Sequence, residues 1–226
     1  MEIISYVIDL FLHLDDHLSV VIANYGTWTY LLLFFVIFME TGFVVTPFLP
    51  GDSLLFAAGA FAATGSFHVT FLFLILFTAA ILGDTANYWI GHTIGPRAFE
   101  MDNRFLKKEY LERTSEFYDR HGGKTIFLAR FIPIIRTFAP FVAGVGIMHY
   151  GRFIVYNLLG GFVWTAGFIS LGYFFGNIPA VRNNFSFVIL AIILISVVPM
   201  GAEFIMSRVR QRRISEDPAG EPNSEI

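Results

Sequence analysis

No cysteine occurs anywhere in the 226 residues, which excludes disulfides, thiolate metal sites and cysteine nucleophiles and leaves no clue to the redox compartment. Positive charge is missing from a long stretch as well: Met1 to Pro96 contains neither lysine nor arginine, and Arg97 is the first. The start therefore lacks the basic n-region of a signal peptide, and it has no small-residue cleavage site either, so it is expected to be retained. Charge is scarce overall, at 15% of residues against 55% hydrophobic. With a mean hydropathy of +0.64 the composition lies outside the range of soluble domains and defines an integral membrane protein. No nucleic-acid partner is expected.

Most of the positive charges that do occur fall in two groups. One runs from Arg97 through Arg104, Lys107, Lys108, Arg113 and Arg120 to Lys124, and the other is Arg208, Arg210, Arg212 and Arg213. Lysine and arginine in short loops set orientation, which puts both groups in the cytoplasm and the acidic start, with Glu2, Asp9, Asp15 and Asp16, outside. Residues 1–24 read as an amphipathic interfacial helix, with apolar positions at Ile4, Val7, Ile8, Phe11, Leu14, Leu18, Val21 and Ile22. Residues 25–207 read as one transmembrane domain, and 208–226 as a basic, then disordered, cytoplasmic tail.

Inside that domain the apolar run Thr27–Met39 is about 20 Å long as a helix, too short for a hydrocarbon core of about 30 Å. Glu40, Pro47, Pro50, Gly51 and Asp52 interrupt it before a second apolar run from Ser53 to Ala63. This predicts a re-entrant hairpin over about 27–65, since irregular backbone survives at membrane depth only where protein or a watery cavity covers it. A second broken segment, about 124–148, carries Arg130, Pro133, Arg136 and Pro140. Between and after them, 69–91, 153–178 and 185–206 read as spanning helices, and Leu106, Tyr110, Leu111, Phe117 and Tyr118 line one side of a charged interfacial helix. The order interfacial helix, broken hairpin, spanning helix occurs twice. A shift of 86 aligns Pro47 with Pro133 and Ala57 with Ala143; a shift of 85 aligns Tyr88-Trp-Ile-Gly91 with Tyr173-Phe-Phe-Gly176. The first hairpin is entered from outside and the second from the cytoplasm, the inverted arrangement with which transporters build midplane sites. The predicted fold class is thus an all-α membrane protein, an inverted repeat of two opposed re-entrant hairpins with spanning helices.

Ionisable groups in a bilayer cost roughly 2.5–3.5 kcal/mol each on insertion scales and are functional candidates for that reason. Glu40 and Asp52 flank the first break, and Arg130 and Arg136 flank Pro133, which lets both arginines turn to one side. Guanidinium groups grip phosphate bidentately, while a carboxylate in an apolar site can gain and lose a proton. That combination suits a proton-coupled carrier of an anion, with Arg130 and Arg136 binding substrate and Glu40 and Asp52 handling protons. The bland reading is a set of static ion pairs that holds two hairpins together. Asp84, beside Gly83 in a spanning run, is either a proton relay or is bonded to Asn87, Tyr88 or backbone. His13, His17, His68, His92, His121 and His149 form no metal-binding pair within the membrane, and no metal or cofactor is expected. Trp28, Trp89 and Trp164 read as anchors or packing. The glycines of Gly144–Gly146 and Gly160-Gly161 read as close helix contacts, because no Walker spacing accompanies them.

Glu40…Pro47-Phe-Leu-Pro-Gly-Asp52, Gly83-Asp84-Thr-Ala-Asn-Tyr88-Trp-Ile-Gly91 and Phe127-Leu-Ala-Arg130-Phe-Ile-Pro133-Ile-Ile-Arg136-Thr-Phe-Ala-Pro140 together resemble the signature segments of the DedA family of bacterial inner-membrane proteins. The resemblance covers roughly residues 25–205. It implies two opposed re-entrant hairpins and movement of undecaprenyl phosphate, an anionic isoprenoid carrier lipid, across the inner membrane under the proton-motive force. It places the functional acids on Glu40 and Asp52 and the functional arginines on Arg130 and Arg136. The partners implied are that lipid phosphate, protons and membrane lipids, with homo-oligomers left open. Three other classes compete. A lipid phosphatase would need histidines beside the arginines, and none is there. A proton-coupled cation or drug antiporter gives the arginines no task. An uncoupled scramblase or assembly factor needs no titrating acid.

Overall fold

The computed structural model describes residues 14–43, 51–99 and 108–182, with 188 and 191 as isolated positions. The chain before residue 14, Pro47 and Pro50, Arg104 and Lys107 of the first basic cluster, most of the spanning helix expected over 185–206 and the tail lie outside the described residues. Among the described residues every regular element is helical. In chain order these are α1 (Leu14–Tyr25), α2 (Trp28–Gly42), α3 (Gly51–Ala63), α4 (Val69–Ile94), α5 (Lys108–His121), α6 (Thr125–Ala129), α7 (Pro133–Val142), α8 (Tyr150–Gly176) and α9 (Pro179–Arg182).

Two continuous apolar stretches, Val69–Arg97 and Tyr150–Gly176, have the length and composition to cross a membrane. Their outer faces are covered by large apolar side chains such as Phe71, Leu74, Leu82, Leu159 and Phe162, which remain exposed in the folded chain and match a lipid surroundings. The remaining helices are short. At about 1.5 Å per residue α2 and α3 are each near 20 Å, and α6 and α7 are shorter still. α4 stops where Gly95 takes φ +64° and Pro96 follows, one lacking a Cβ to clash and the other lacking the N–H needed to continue.

The second broken segment departs from its sequence reading in one place. Pro133 does what was expected, opening α7 at its first position after the extended residue Ile132. Pro140, expected to break the hairpin, instead lies inside α7, which runs on to Val142. Its missing N–H leaves one backbone bond unmade, but the chain turns only in the widened turn Ala143–Ile147, at Gly146 with φ +133°. A non-glycine residue would be strained there.

The helices pack pairwise: α2 lies on α4, α6 on α8, α3 on α8, and α7 with its following turn on α4. Two of these crossings are built alike. A Cβ on Gly172 would overlap the Phe56 carbonyl oxygen and one on Gly59 that of Ile169; likewise one on Gly91 would overlap the Phe141 carbonyl and one on Gly144 that of Tyr88. Each crossing is therefore a reciprocal pair, a phenylalanine carbonyl against a helix glycine and a glycine three residues on against the carbonyl one turn back. Adding a methyl at any of the four would force the helices apart. Two apolar cores result, one around Leu55, Leu72, Leu76 and Ile169 and the other around Leu111, Phe138, Phe141 and Phe153. Tyr118 anchors α5 to the second core, its hydroxyl donating to the Ala139 carbonyl at 2.9 Å, and burial pushes this phenol well above its ordinary pKa. It remains a donor at neutral pH.

Candidate functional site

Arg136 leaves the first turns of α7 and divides its guanidinium between two carboxylates from different helices. Its Nη2 donates to Glu40 Oε1, near the end of α2, at 3.0 Å, and its Nη1 to Asp52 Oδ1, in the first turn of α3, at 3.0 Å. The Glu40 and Arg136 side chains are 9% and 14% exposed and Asp52 21%, so the group is largely withdrawn from solvent without being sealed. Gly51 makes this geometry possible. A Cβ there would fall onto the Glu40 carboxylate, so only glycine lets that acid lie against the start of α3.

The two acids and Arg136 thus meet as the spacing suggested. Arg130 takes a different place. It leaves the end of α6 and forms a buried ion pair through Nη2 with Asp84 Oδ2 of α4, and the same nitrogen donates to Asn157 Oδ1 of α8 at 2.6 Å. Asn157 is fixed in turn by donating to the Ile81 carbonyl at 3.2 Å. Gly160 and Gly161, read from sequence as helix contacts, leave the space that the Arg130 side chain occupies. Among the described residues the Asp84 side chain is thus partnered by Arg130 and not by Asn87 or Tyr88, whose side chains bond backbone carbonyls elsewhere. Asn87 serves elsewhere, donating to the carbonyls of Thr41 at 3.3 Å and Thr137 at 3.0 Å and so tying α2 to α7 across α4.

Between the two clusters stands Trp164, which packs in the first apolar core, as one of its two sequence readings had it, and also bonds into the site. It is 1% exposed. Its Nε1 donates to Asp52 Oδ1 at 2.8 Å, and its ring lies 4.3 Å from the Arg136 guanidinium carbon and 5.7 Å from that of Arg130. Sequence reasoning missed Trp164 and Asn157. The available signal was a hydrogen-bonding side chain on a run otherwise apolar enough to span, where an amide or indole N–H must find a partner.

Among the described residues three carboxylates face two guanidinium groups, and no cluster of histidines and acids is arranged to hold a metal ion. Polar atoms of the site remain uncommitted: Glu40 Oε2 and Arg130 Nε and Nη1 have no hydrogen-bond partner among the described residues. Such atoms are expensive to bury without a partner.

Two apolar helices of spanning length stand beside a buried set of acids and arginines, as in a helical membrane protein, and comparison with known proteins narrows the class. The VTT domain matches residues 49–174, and the chain belongs to that family, the DedA family of membrane proteins. It is 49% identical over 208 residues to Protein DedA of Escherichia coli K12, covering 91% of this chain and 95% of that one. An uncharacterised membrane protein of Mycobacterium tuberculosis is 42% identical over 187 residues, 81% and 82% of the two chains. Inner membrane protein YqjA of Escherichia coli K12 is 33% identical over 154 residues, 66% and 69%. No solved structure matches.

Proposed function

We propose that the chain is a proton-coupled flippase that returns a polyprenyl phosphate, undecaprenyl phosphate in particular, across the bacterial inner membrane. The observation that carries this reading is the divided fork of Arg136. Its two Nη groups hold Glu40 and Asp52 in a geometry that a phosphate's two oxygens can also accept. An anion that takes the fork displaces both carboxylates. Released into a low-dielectric site, a carboxylate is far less costly as the neutral acid, so each displacement invites a proton. Three acids against two arginines leave the site one positive charge short, which a proton makes good. Arg130 supplies a second cation 5.7 Å from the same indole that supports Arg136, and its two free nitrogens give it capacity to share the substrate.

The inverted repeat and the two re-entrant hairpins belong to the same proposal. The reciprocal glycine crossings support them, because Phe56 and Gly59 stand to Ile169 and Gly172 as Phe141 and Gly144 stand to Tyr88 and Gly91. In this arrangement a multi-pass chain with its start outside and its end in the cytoplasm brings one hairpin in from each face, and Arg136 and the acids meet between them. Rocking one half against the other would expose the fork to alternate sides.

The test is uptake of labelled undecaprenyl phosphate in proteoliposomes with and without a pH gradient. Transport accelerated by the gradient is expected, and Glu40→Gln, which keeps the shape but not the titrating group, should lose that acceleration while retaining lipid binding. Equal transport with and without the gradient, unchanged in Glu40→Gln and Asp52→Asn, would replace this reading with an uncoupled scramblase.

A further inference from the structure

We propose that Trp164 is a positioning residue of the transport site, a fixed platform that keeps the Arg136 fork aimed and Asp52 anchored while Arg136 changes partners. The inference rests on the anion-carrier reading above. A guanidinium stacked on an aromatic ring points all of its N–H groups outward in its own plane, so the contact at 4.3 Å uses none of the donors that Glu40 and Asp52 take. The platform therefore persists whichever anion the fork holds. The second contact is equally specific. Asp52 Oδ1 accepts from both Arg136 Nη1 and Trp164 Nε1, so when Arg136 turns to another anion the carboxylate still has a donor on the rigid helix α8.

Packing alone does not account for this residue. Applying to Gly83 the 81-residue offset that relates Tyr88 and Gly91 of one crossing to Ile169 and Gly172 of the other leads to Trp164. At Gly83 the space is closed by α2, where Thr41, the Phe38 carbonyl and Gly42 stand close by. The second half instead carries the largest side chain available, and that side chain touches both arginines and one acid. A space-filler in an apolar core has no need of two cations on its face.

The chain's three tryptophans make the idea measurable. Trp28 and Trp89 are 71% and 48% exposed and lie away from the site, so a Trp28→Phe/Trp89→Phe protein leaves Trp164 as the sole indole reporter. In nanodiscs its emission should change saturably with undecaprenyl phosphate, in step with binding of the labelled lipid, and stay constant with uncharged undecaprenol. Trp164→Leu removes the platform and should weaken binding about tenfold, within the range of one desolvated cation–π contact. Trp164→Phe keeps a ring but drops the bond to Asp52, so half-saturation should move by no more than about twofold while the maximal transport rate falls about tenfold. This split is not what a packing defect produces. Failure of the parent protein to bind the labelled lipid would overturn the carrier reading and this inference with it. Normal binding with silent Trp164 emission, or with both Trp164 variants behaving as the parent, would overturn the role of Trp164 alone.

Discussion

Arg136 does with one side chain what a lysine cannot: a planar fork reaches two acids on two helices while its face rests on an indole. Arg136→Lys keeps the charge and loses the fork, so proteoliposome uptake of lipid phosphate should fall at least about tenfold with the amount of folded protein unchanged. A residue serving only as counter-ion would tolerate the change. Asp84 and Arg130 pose the opposite case, a pair so deeply buried that its loss should be read first in stability. Asp84→Leu leaves a 4% exposed arginine with one amide oxygen for company and should cost about 3–5 kcal/mol, seen as a lowered thermal midpoint in detergent. Replacing both members, Asp84→Leu with Arg130→Met, should recover much of that loss. If the double variant is as unstable as the single one, the cost lies in packing around Asp84 and not in a stranded charge.

At the scale of elements, glycine decides where helices can cross. Gly172 and Gly91 each face a backbone carbonyl of the opposing segment, whereas Gly167 of the same helix α8 has no atom near its missing Cβ. Gly172→Ala and Gly91→Ala should each destabilise the protein by about 1–3 kcal/mol through forced separation of the helices. Gly167→Ala should be neutral or raise the thermal midpoint slightly, because it only removes backbone freedom from a helix interior. A matching loss in all three would mean that helix flexibility, not close approach, is what the glycines supply. Much of this scale could be read from sequence, though with characteristic errors. Within the second broken segment the helix does open at Pro133, but Pro140, read as a second break, lies inside it, since a proline can sit within a short helix when its freed carbonyl is tolerated, while the turn depends on Gly146. Close contact was legible at Gly160-Gly161, but not that the close neighbour is the Arg130 side chain, because glycine records space and not its occupant.

At the scale of the molecule, the class was legible in composition, and four charges in apolar surroundings marked the candidate site. It did not reveal how those charges divide. Glu40, Asp52 and Arg136 lie 84 to 96 residues apart across their ion pairs, and Arg130 and Asp84 46 apart, separations at which local pattern carries no information about which acid meets which base. The same limit applies to orientation, which follows from where lysine and arginine fall. If the first broken segment enters from outside and the second from the cytoplasm, the acids reach the fork from one face of the membrane and the arginines from the other. A proton gradient can then act on the pairing itself. Because the chain has no cysteine, single replacements report position without background. Asp15→Cys should react with a membrane-impermeant maleimide only from outside intact cells, and Glu100→Cys and Arg212→Cys only in inverted vesicles. Labelling of Asp15→Cys from the cytoplasmic side would put both broken segments on one face. The ion pairs would survive that result, but the proposed opposed entry, and with it the exchange of Arg136 partners between two compartments, would not.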